Sequence, residues 1–254
     1  MKIGFIGIGA MGRPMLANLV KQGHSVAAYD VVEAALDGAV KLGAARTGSA
    51  AAAARDRDLV ITVLPSSSHV ESAYLGAGGV LEGIGAGRLC IDMSTIDPSV
   101  SRRVAEAVGQ RGARFLDAPV SGGVPRAEDG TLAIMVGGDA RDFEDARPVL
   151  SAMGANIIHV GPVGSGEVAK LCNNLIAGVA AVAVSEAFRI AEGFGVDAKV
   201  LTDVISKSSG HLGDGAHAPG ARPRDEGALE PRLCSRLHHR PDGEGPRAGR
   251  QRRA

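Results

Sequence analysis

Short apolar runs alternate with longer amphipathic stretches from residue 1 to about residue 163. Lys2 to Ile6 predicts a strand, closed by Gly7-Ile8-Gly9-Ala10-Met11-Gly12. A helical pattern follows through Lys21, with Gly23 placed to end it in the left-handed conformation. Val26 to Tyr29 predicts the next strand, ending at Asp30, and completes a β-α-β unit. Glu33 to Leu42 and Ser49 to Arg55 read as helices. Leu59 to Leu64 is a continuous apolar strand, the kind buried on both faces of a parallel sheet. Pro65-Ser66-Ser67-Ser68 stops it, and a helix starts from about Val70. Leu89 to Asp92 predicts a strand, followed by the polar turn Met93 to Pro98. Pro98 suits a first helical turn, and that helix runs to about Arg111. Phe115 to Val120, Ala133 to Val136 and Asn156 to Val160 read as strands, with a helix over Asp139 to Met153. The alternation defines an α/β fold, a Rossmann-type doubly wound sheet over residues 1–163.

From Gly164 the pattern changes. A single helix runs to about Phe194, and a second spans about Asp197 to Lys207. Residues 164–210 thus read as the opening of an all-α domain that begins with a long interdomain helix. Leu175 to Phe188 are almost all apolar or small, which predicts a mostly buried helix. A third regime covers 211–254, where Val, Ile, Phe, Tyr, Met and Lys are all absent. Five of the twelve prolines fall there, and no apolar periodicity survives, so this tail is expected to be disordered.

Composition narrows the partners. Hydrophobic residues make up 45% of 254, enough for a substantial core. Formal net charge is zero, which removes any global argument for nucleic acid or an anionic membrane as partner. No stretch is read as reaching the length of a membrane span. The N-terminus runs directly into a strand pattern without a signal-peptide layout. Cys90, Cys172 and Cys234 are scattered, without metal-ligand spacing, and suggest reduced thiols in the cytoplasm. His238-His239 has no further ligands at useful spacing, so no metal site is expected.

Three constellations carry chemistry. The Gly7-x-Gly9-x-x-Gly12 turn follows a strand, opens a helix and precedes a strand ending in an acid, which fits a dinucleotide. Gly7 permits the tight turn, Gly9 lets the backbone approach a pyrophosphate, and Gly12 lets helix and strand pack closely. Asp30 is placed to accept hydrogen bonds from the adenosine ribose and would repel a 2′-phosphate. Val31 and Val32 supply no arginine to hold one, so NAD is expected rather than NADP. The alternative is a glycine turn without nucleotide. Next, Ser121-Gly122-Gly123 can offer a hydroxyl and consecutive backbone N–H groups to a small carboxylate, or can be an ordinary turn. Finally, Lys170 lies early in the long helix, with Ser165 as its expected N-cap and Asn174 on the same face. The helix dipole and partial burial favour a neutral amine able to move a proton near neutral pH. The alternative is a lysine that snorkels to solvent.

Four segments together resemble the β-hydroxyacid dehydrogenases. They are Gly4 to Gly12 with Pro14 and Asn18-Leu19, Asp92 to Pro98, Asp117 to Gly123, and Gly164 to Asn174. The resemblance covers residues 1 to about 210. It implies oxidation of a small hydroxy acid, with Lys170 catalytic and Asn174 placing the substrate. It implies that Ser121, Gly122 and Gly123 hold the substrate carboxylate. Gly7, Gly9, Ala10, Met11, Gly12, Asp30, Leu64, Pro65 and Thr95 would line NAD, with Thr95 near the nicotinamide. His69 falls where a relative can carry another polar cofactor contact. Family members associate as homo-oligomers through the helical domain, and no metal is needed. A reductase of a related short acid such as tartronate semialdehyde is one alternative, and a cofactor binder without catalysis is another. After Gly210 the family continues with a Trp-containing loop, a Pro-rich turn and a helix bearing a Lys-Asp-Leu motif. None of these stands in this sequence. A shifted reading frame explains the abrupt change; a divergent natural tail is the alternative.

Overall fold

A computed structural model of the chain describes residues 1–208 and Gly210. The expected tail, 211–254, lies outside the described residues. In chain order the elements are β1 (Lys2–Ile6), α1 (Gly12–Lys21), β2 (Ser25–Tyr29), α2 (Glu33–Lys41), β3 (Ala45–Arg46), α3 (Ala50–Ala54) and β4 (Leu59–Thr62). Then come α4 (Ser67–Leu75), α5 (Val80–Gly83), β5 (Leu89–Asp92), α6 (Pro98–Gln110), β6 (Arg114–Asp117), β7 (Val120–Ser121) and α7 (Gly123–Asp129). The series ends with β8 (Leu132–Gly137), α8 (Ala140–Leu150), β9 (Gly154–Gly161), α9 (Ser165–Gly193) and α10 (Ala198–Ser206). The chain divides into two compact units, one from Met1 to Glu186 and one beginning at Ala187.

The first unit is built on a nine-stranded sheet of order β3-β2-β1-β4-β5-β6-β8-β7, with β9 paired to β8. Strands β1 to β6 are mutually parallel. β8 runs antiparallel to β6 and β7 and parallel to β9. The chain passes from β1 to β2 and β3 on one side, then crosses to β4 on the other. The switch point therefore lies between β1 and β4, where open α/β sheets form a crevice at the carboxyl ends of their strands. Successive strand residues face opposite layers. Ile3, Phe5, Leu59, Ile61, Leu89 and Ile91 enter one core cluster. Ile6, Val60 and Cys90 enter the other, with Tyr74 and Val104. Two covered faces are why these strands read as unbroken apolar runs. In the second unit, α10 is capped by Asp197, whose carboxylate accepts the Lys199 and Val200 N–H groups at 2.9 and 3.2 Å.

Several expectations are corrected. The strand expected over Leu59 to Leu64 ends at Thr62; the Val63 N–H still bonds the Ile6 carbonyl at 2.9 Å, and Leu64 lies beyond the ladder. α4 begins at Ser67 rather than near Val70. The strand expected over Phe115 to Val120 is two strands, β6 and β7. Pro119 separates them because it has no N–H for a ladder. The Ser121-Gly122-Gly123 turn opens a short helix, α7. The distal part of α9 is not buried: Leu175 and Ile176 are each 68% exposed and Val182 is 65% exposed. Only the root of α9 rests on the sheet; the apolar pattern alone could not show which turns have something to pack against. α9 is also long and apolar enough to cross a membrane by length and composition, contrary to the reading that no stretch is.

Candidate functional site

The crevice between β1 and β4 opens on the glycine turn. Gly7 adopts φ +94°, and an added Cβ would run into the Val63 carbonyl oxygen. A Cβ on Gly12 would strike the Gly7 carbonyl oxygen. These two glycines are therefore required by packing. Gly9 differs: a Cβ there would meet nothing within 4 Å. The space over Gly9 is open, as a backbone that receives a phosphate requires. α1 has no side-chain cap. The backbone N–H groups of Gly9, Ala10 and Met11 have no hydrogen-bond partner among the described residues. Free donors at the positive end of a helix form an anion cradle. Asp30 is locked beside it: Oδ2 accepts the Ile8 N–H at 2.6 Å and Oδ1 accepts the Val32 N–H at 2.8 Å. A carboxylate oxygen has lone pairs beyond one bond, so each can still take a ribose hydroxyl. The residues thus fit a dinucleotide.

The other side of the crevice rests on a buried polar floor. Thr62 and Asp92 end neighbouring strands in register. Asp92 Oδ1 accepts the Thr62 and Ser94 hydroxyls, each at 2.6 Å, and the Ser94 N–H at 3.3 Å. The Ser94 hydroxyl also receives the Leu64 N–H at 2.9 Å, which fixes the Leu64-Pro65 loop. Burial pushes the Asp92 carboxyl up to about 6 despite those hydrogen bonds. Burial likewise pushes the Cys90 thiol up to about 12, so it is an inert thiol at neutral pH.

The root of α9 is held by Asp117 at the end of β6. Its Oδ1 accepts the Gly164 N–H at 2.7 Å and its Oδ2 the Glu167 N–H at 3.0 Å. Asp117 therefore caps the helix, and the expected cap, Ser165, makes no side-chain hydrogen bond among the described residues. A cap supplied from a neighbouring strand cannot be read from local spacing. Gly166 is needed here because a Cβ would strike the Met135 carbonyl oxygen on β8. The helix backbone lies directly on the strand ends. Burial raises the Asp117 carboxyl, and the backbone N–H groups oppose that.

Lys170 sits one turn further on and is only 9% exposed. Burial lowers its amine, while the charge of Glu167 acts the other way. Glu167 is fully buried, and its Oε2 accepts the Ile96 N–H at 3.1 Å. That bond ties the turn containing Thr95 to the root of α9. Burial pushes the Glu167 carboxyl up to about 8. Ser121, half-buried on β7, makes no side-chain hydrogen bond among the described residues and precedes Gly122 (φ +137°) and Gly123 (φ +67°). Asn174 is exposed one turn beyond Lys170, and Thr95 and Pro65 are exposed at the crevice. His69 folds onto the Ser66 hydroxyl at 2.7 Å. Among the described residues no cluster could hold a metal ion. Sequence reasoning gave no role to Asp92, Asp117 or Glu167. Acids ending apolar strands were a usable signal for the first two; Glu167 passes for an ordinary first-turn acid.

A doubly wound sheet with an open glycine cradle and an anchored acid at its switch point defines a dinucleotide-binding protein. Residues 2–161 match the NAD-binding domain of 6-phosphogluconate dehydrogenase. Residues 164–213 match the NAD-binding domain of NADP-dependent 3-hydroxyisobutyrate dehydrogenase. The NAD-dependent L-serine dehydrogenase of Pseudomonas aeruginosa is 46% identical over 209 residues, covering 82% of this chain and 70% of the relative. The 3-hydroxyisobutyrate dehydrogenase of the same organism is 47% identical over 208 residues, with coverage of 82% and 70%. Among solved structures, the Mycobacterium tuberculosis 3-hydroxyisobutyrate dehydrogenase with L-serine superposes with a TM-score of 0.80. It is 42% identical, covering 86% of this chain and 75% of that one. The chain belongs to the β-hydroxyacid dehydrogenase family, whose cofactor is NAD(P).

Proposed function

We propose that this protein oxidises 3-hydroxyisobutyrate to methylmalonate semialdehyde with NAD, a step of valine breakdown in the cytoplasm. The observation that carries the reading is Lys170, buried at the root of α9, the part of the helix that Glu167 ties to the turn bearing Thr95. NAD supplies the hydride acceptor when bound. Lys170 Nζ takes the proton from the substrate hydroxyl. Asn174 hydrogen-bonds the substrate and fixes its pose. The Ser121 hydroxyl and the Gly122 and Gly123 N–H groups hold its carboxylate. Gly9, Ala10 and Met11 receive the pyrophosphate in a turn that Gly7 and Gly12 shape, Asp30 takes the ribose, and Leu64, Pro65 and Thr95 line the cofactor, Thr95 near the nicotinamide. Asp30 selects NAD over NADP through charge repulsion of a 2′-phosphate. The functional boundary falls at Gly164, and the change after Gly210 is a shifted reading frame. Translating the coding DNA there in all three frames tests that last point, since a Trp-containing loop and a Lys-Asp-Leu helix should emerge.

A second reading is oxidation of L-serine, favoured by the name of the Pseudomonas L-serine dehydrogenase and by the L-serine that accompanies the Mycobacterium structure. Steady-state rates of the purified chain with 3-hydroxyisobutyrate, L-serine and, in reverse, tartronate semialdehyde separate the readings. The first predicts the highest kcat/KM for 3-hydroxyisobutyrate, with NADP poorer than NAD by about tenfold, or about 1.4 kcal/mol. A higher value for L-serine establishes the second. NADH binding without turnover on any of them sinks both.

A further inference from the structure

Helix α7 is tied to α1 at its far end. It is seven residues long, with a glycine at either end: Gly122, which gives no side-chain cap, and Gly130, left-handed at φ +69°. The Arg126 carbonyl is taken by the Gly130 and Thr131 N–H groups. The next two carbonyls, of Ala127 and Glu128, belong to a last turn that offers them no intrahelical donor. Asn18, on α1 and 109 residues from Ala127 in sequence, supplies one. Its Nδ2 donates to the Ala127 carbonyl at 2.8 Å and to the Glu128 carbonyl at 3.5 Å. A Cβ on Gly130 would meet that same nitrogen at 3.5 Å, so the end of α7 lies directly against it. Ala127 is buried in the core cluster that also holds Met15, Leu16 and Leu19 of α1. Among the described residues no other side chain from outside α7 hydrogen-bonds to it.

The two helices start at two different turns. α1 follows the open donors of Gly9, Ala10 and Met11, and α7 follows Ser121-Gly122. A helix moves as a stiff body, so holding the last turn of α7 fixes where its first turn sits. We propose that Asn18 is a positioning residue: it fixes the Ser121-Gly122-Gly123 turn relative to the glycine cradle, so that a chain with NAD bound holds that turn in place for the substrate carboxylate. This rests on the carboxylate-binding role proposed for that turn. Asn18 acts through α7 and not by touching the substrate. Its amide nitrogen carries two donors, which two adjacent carbonyls require and which a carboxylate cannot supply.

The test is amide hydrogen exchange of the full chain with and without NADH, in wild type and in Asn18→Asp. That substitution keeps the shape of the side chain and removes both donors. In wild type, NADH should slow exchange over residues 121–130 by about threefold or more. In Asn18→Asp the slowing should vanish while NADH affinity stays within about twofold of wild type. Slowing of equal size in the variant overturns the proposal, and so does a wild-type chain in which NADH leaves this segment unchanged. If Asn18→Asp does not fold, Asn18→Ala takes its place under the same criteria. Exchange needs no turnover, so a chain inactive on every hydroxy acid would defeat the proposed function without deciding this one. In an active chain, KM for 3-hydroxyisobutyrate should rise about fivefold or more in Asn18→Asp, with kcat within about twofold. A fall in kcat or NADH affinity as large as the rise in KM would mark a general loosening and overturn the positioning role.

Discussion

The root of α9 and its middle turns belong to one helix yet live in different surroundings. The buried residues of the helix are Gly166, Glu167 and Lys170, two of them ionisable and all at its root. Leu175, Ile176, Val179 and Val182 are apolar and exposed. Hydrophobicity alone would order them the other way round. The inversion has a physical source: the root is pinned by Asp117 and rests on the ends of β6 and β8, whereas the middle turns have no such anchor among the described residues. The surroundings that tune Lys170 are therefore made by strand ends and by Glu167, not by the apolar stretch that follows. The root should respond to substitution strongly and the middle turns weakly.

The largest loss is expected for Asp117→Ala, which leaves two buried N–H groups without an acceptor. Urea unfolding should show a loss of about 2–4 kcal/mol, and a change below about 1 kcal/mol would mean that the root is held by something else. Next comes the pair of glycines at the cradle. Gly12→Ala should cost more than about 2 kcal/mol through its clash with Gly7, whereas Gly9→Ala should cost under about 1 kcal/mol. Gly9→Ala should nevertheless weaken NADH binding by about tenfold or more, readable by fluorescence titration. Equal stability losses in the two variants would refute the separation of packing from binding glycines.

Acidity gives a smaller effect. The folded chain binds the Glu167 proton more tightly than the unfolded chain does, so stability falls as pH rises from about 4.5 through about 8. Asp92 adds the same sign up to about 6, and the lowered Lys170 acts oppositely at higher pH. Melting temperature should therefore decline over that window, and Glu167→Gln should flatten the decline. An equally steep decline in the variant would contradict the assignment. Least of all, Val179→Ser and Val182→Ser should change stability by about 0.5 kcal/mol or less while raising solubility, as light scattering would show.

Much of this was legible in the chain itself. Strand period, glycine turn and terminal acid located β1, α1 and β2 to within a residue, because those rules are local. The same holds for α6, where Asp97 caps and Pro98 occupies the first turn. What escaped was set by distant partners. β3 and α5 are too short to carry a period. The cap on α9 comes from Asp117, far away in sequence. The exposure of Val179 and Val182 depends on what packs nearby, which periodicity does not encode. The candidate residues of the glycine turn and Lys170 were visible as motifs; Glu167 acquires meaning only when Asp92 and Asp117 are brought beneath it.

The central claim is that a buried lysine at the root of α9 carries the proton in hydroxy-acid oxidation. Comparing kcat for Lys170→Ala with wild type, at matched NAD saturation, tests it most directly. The account predicts a fall of about 10²–10⁴-fold with NADH affinity essentially retained. A variant that binds NADH normally and turns over at the wild-type rate would contradict it.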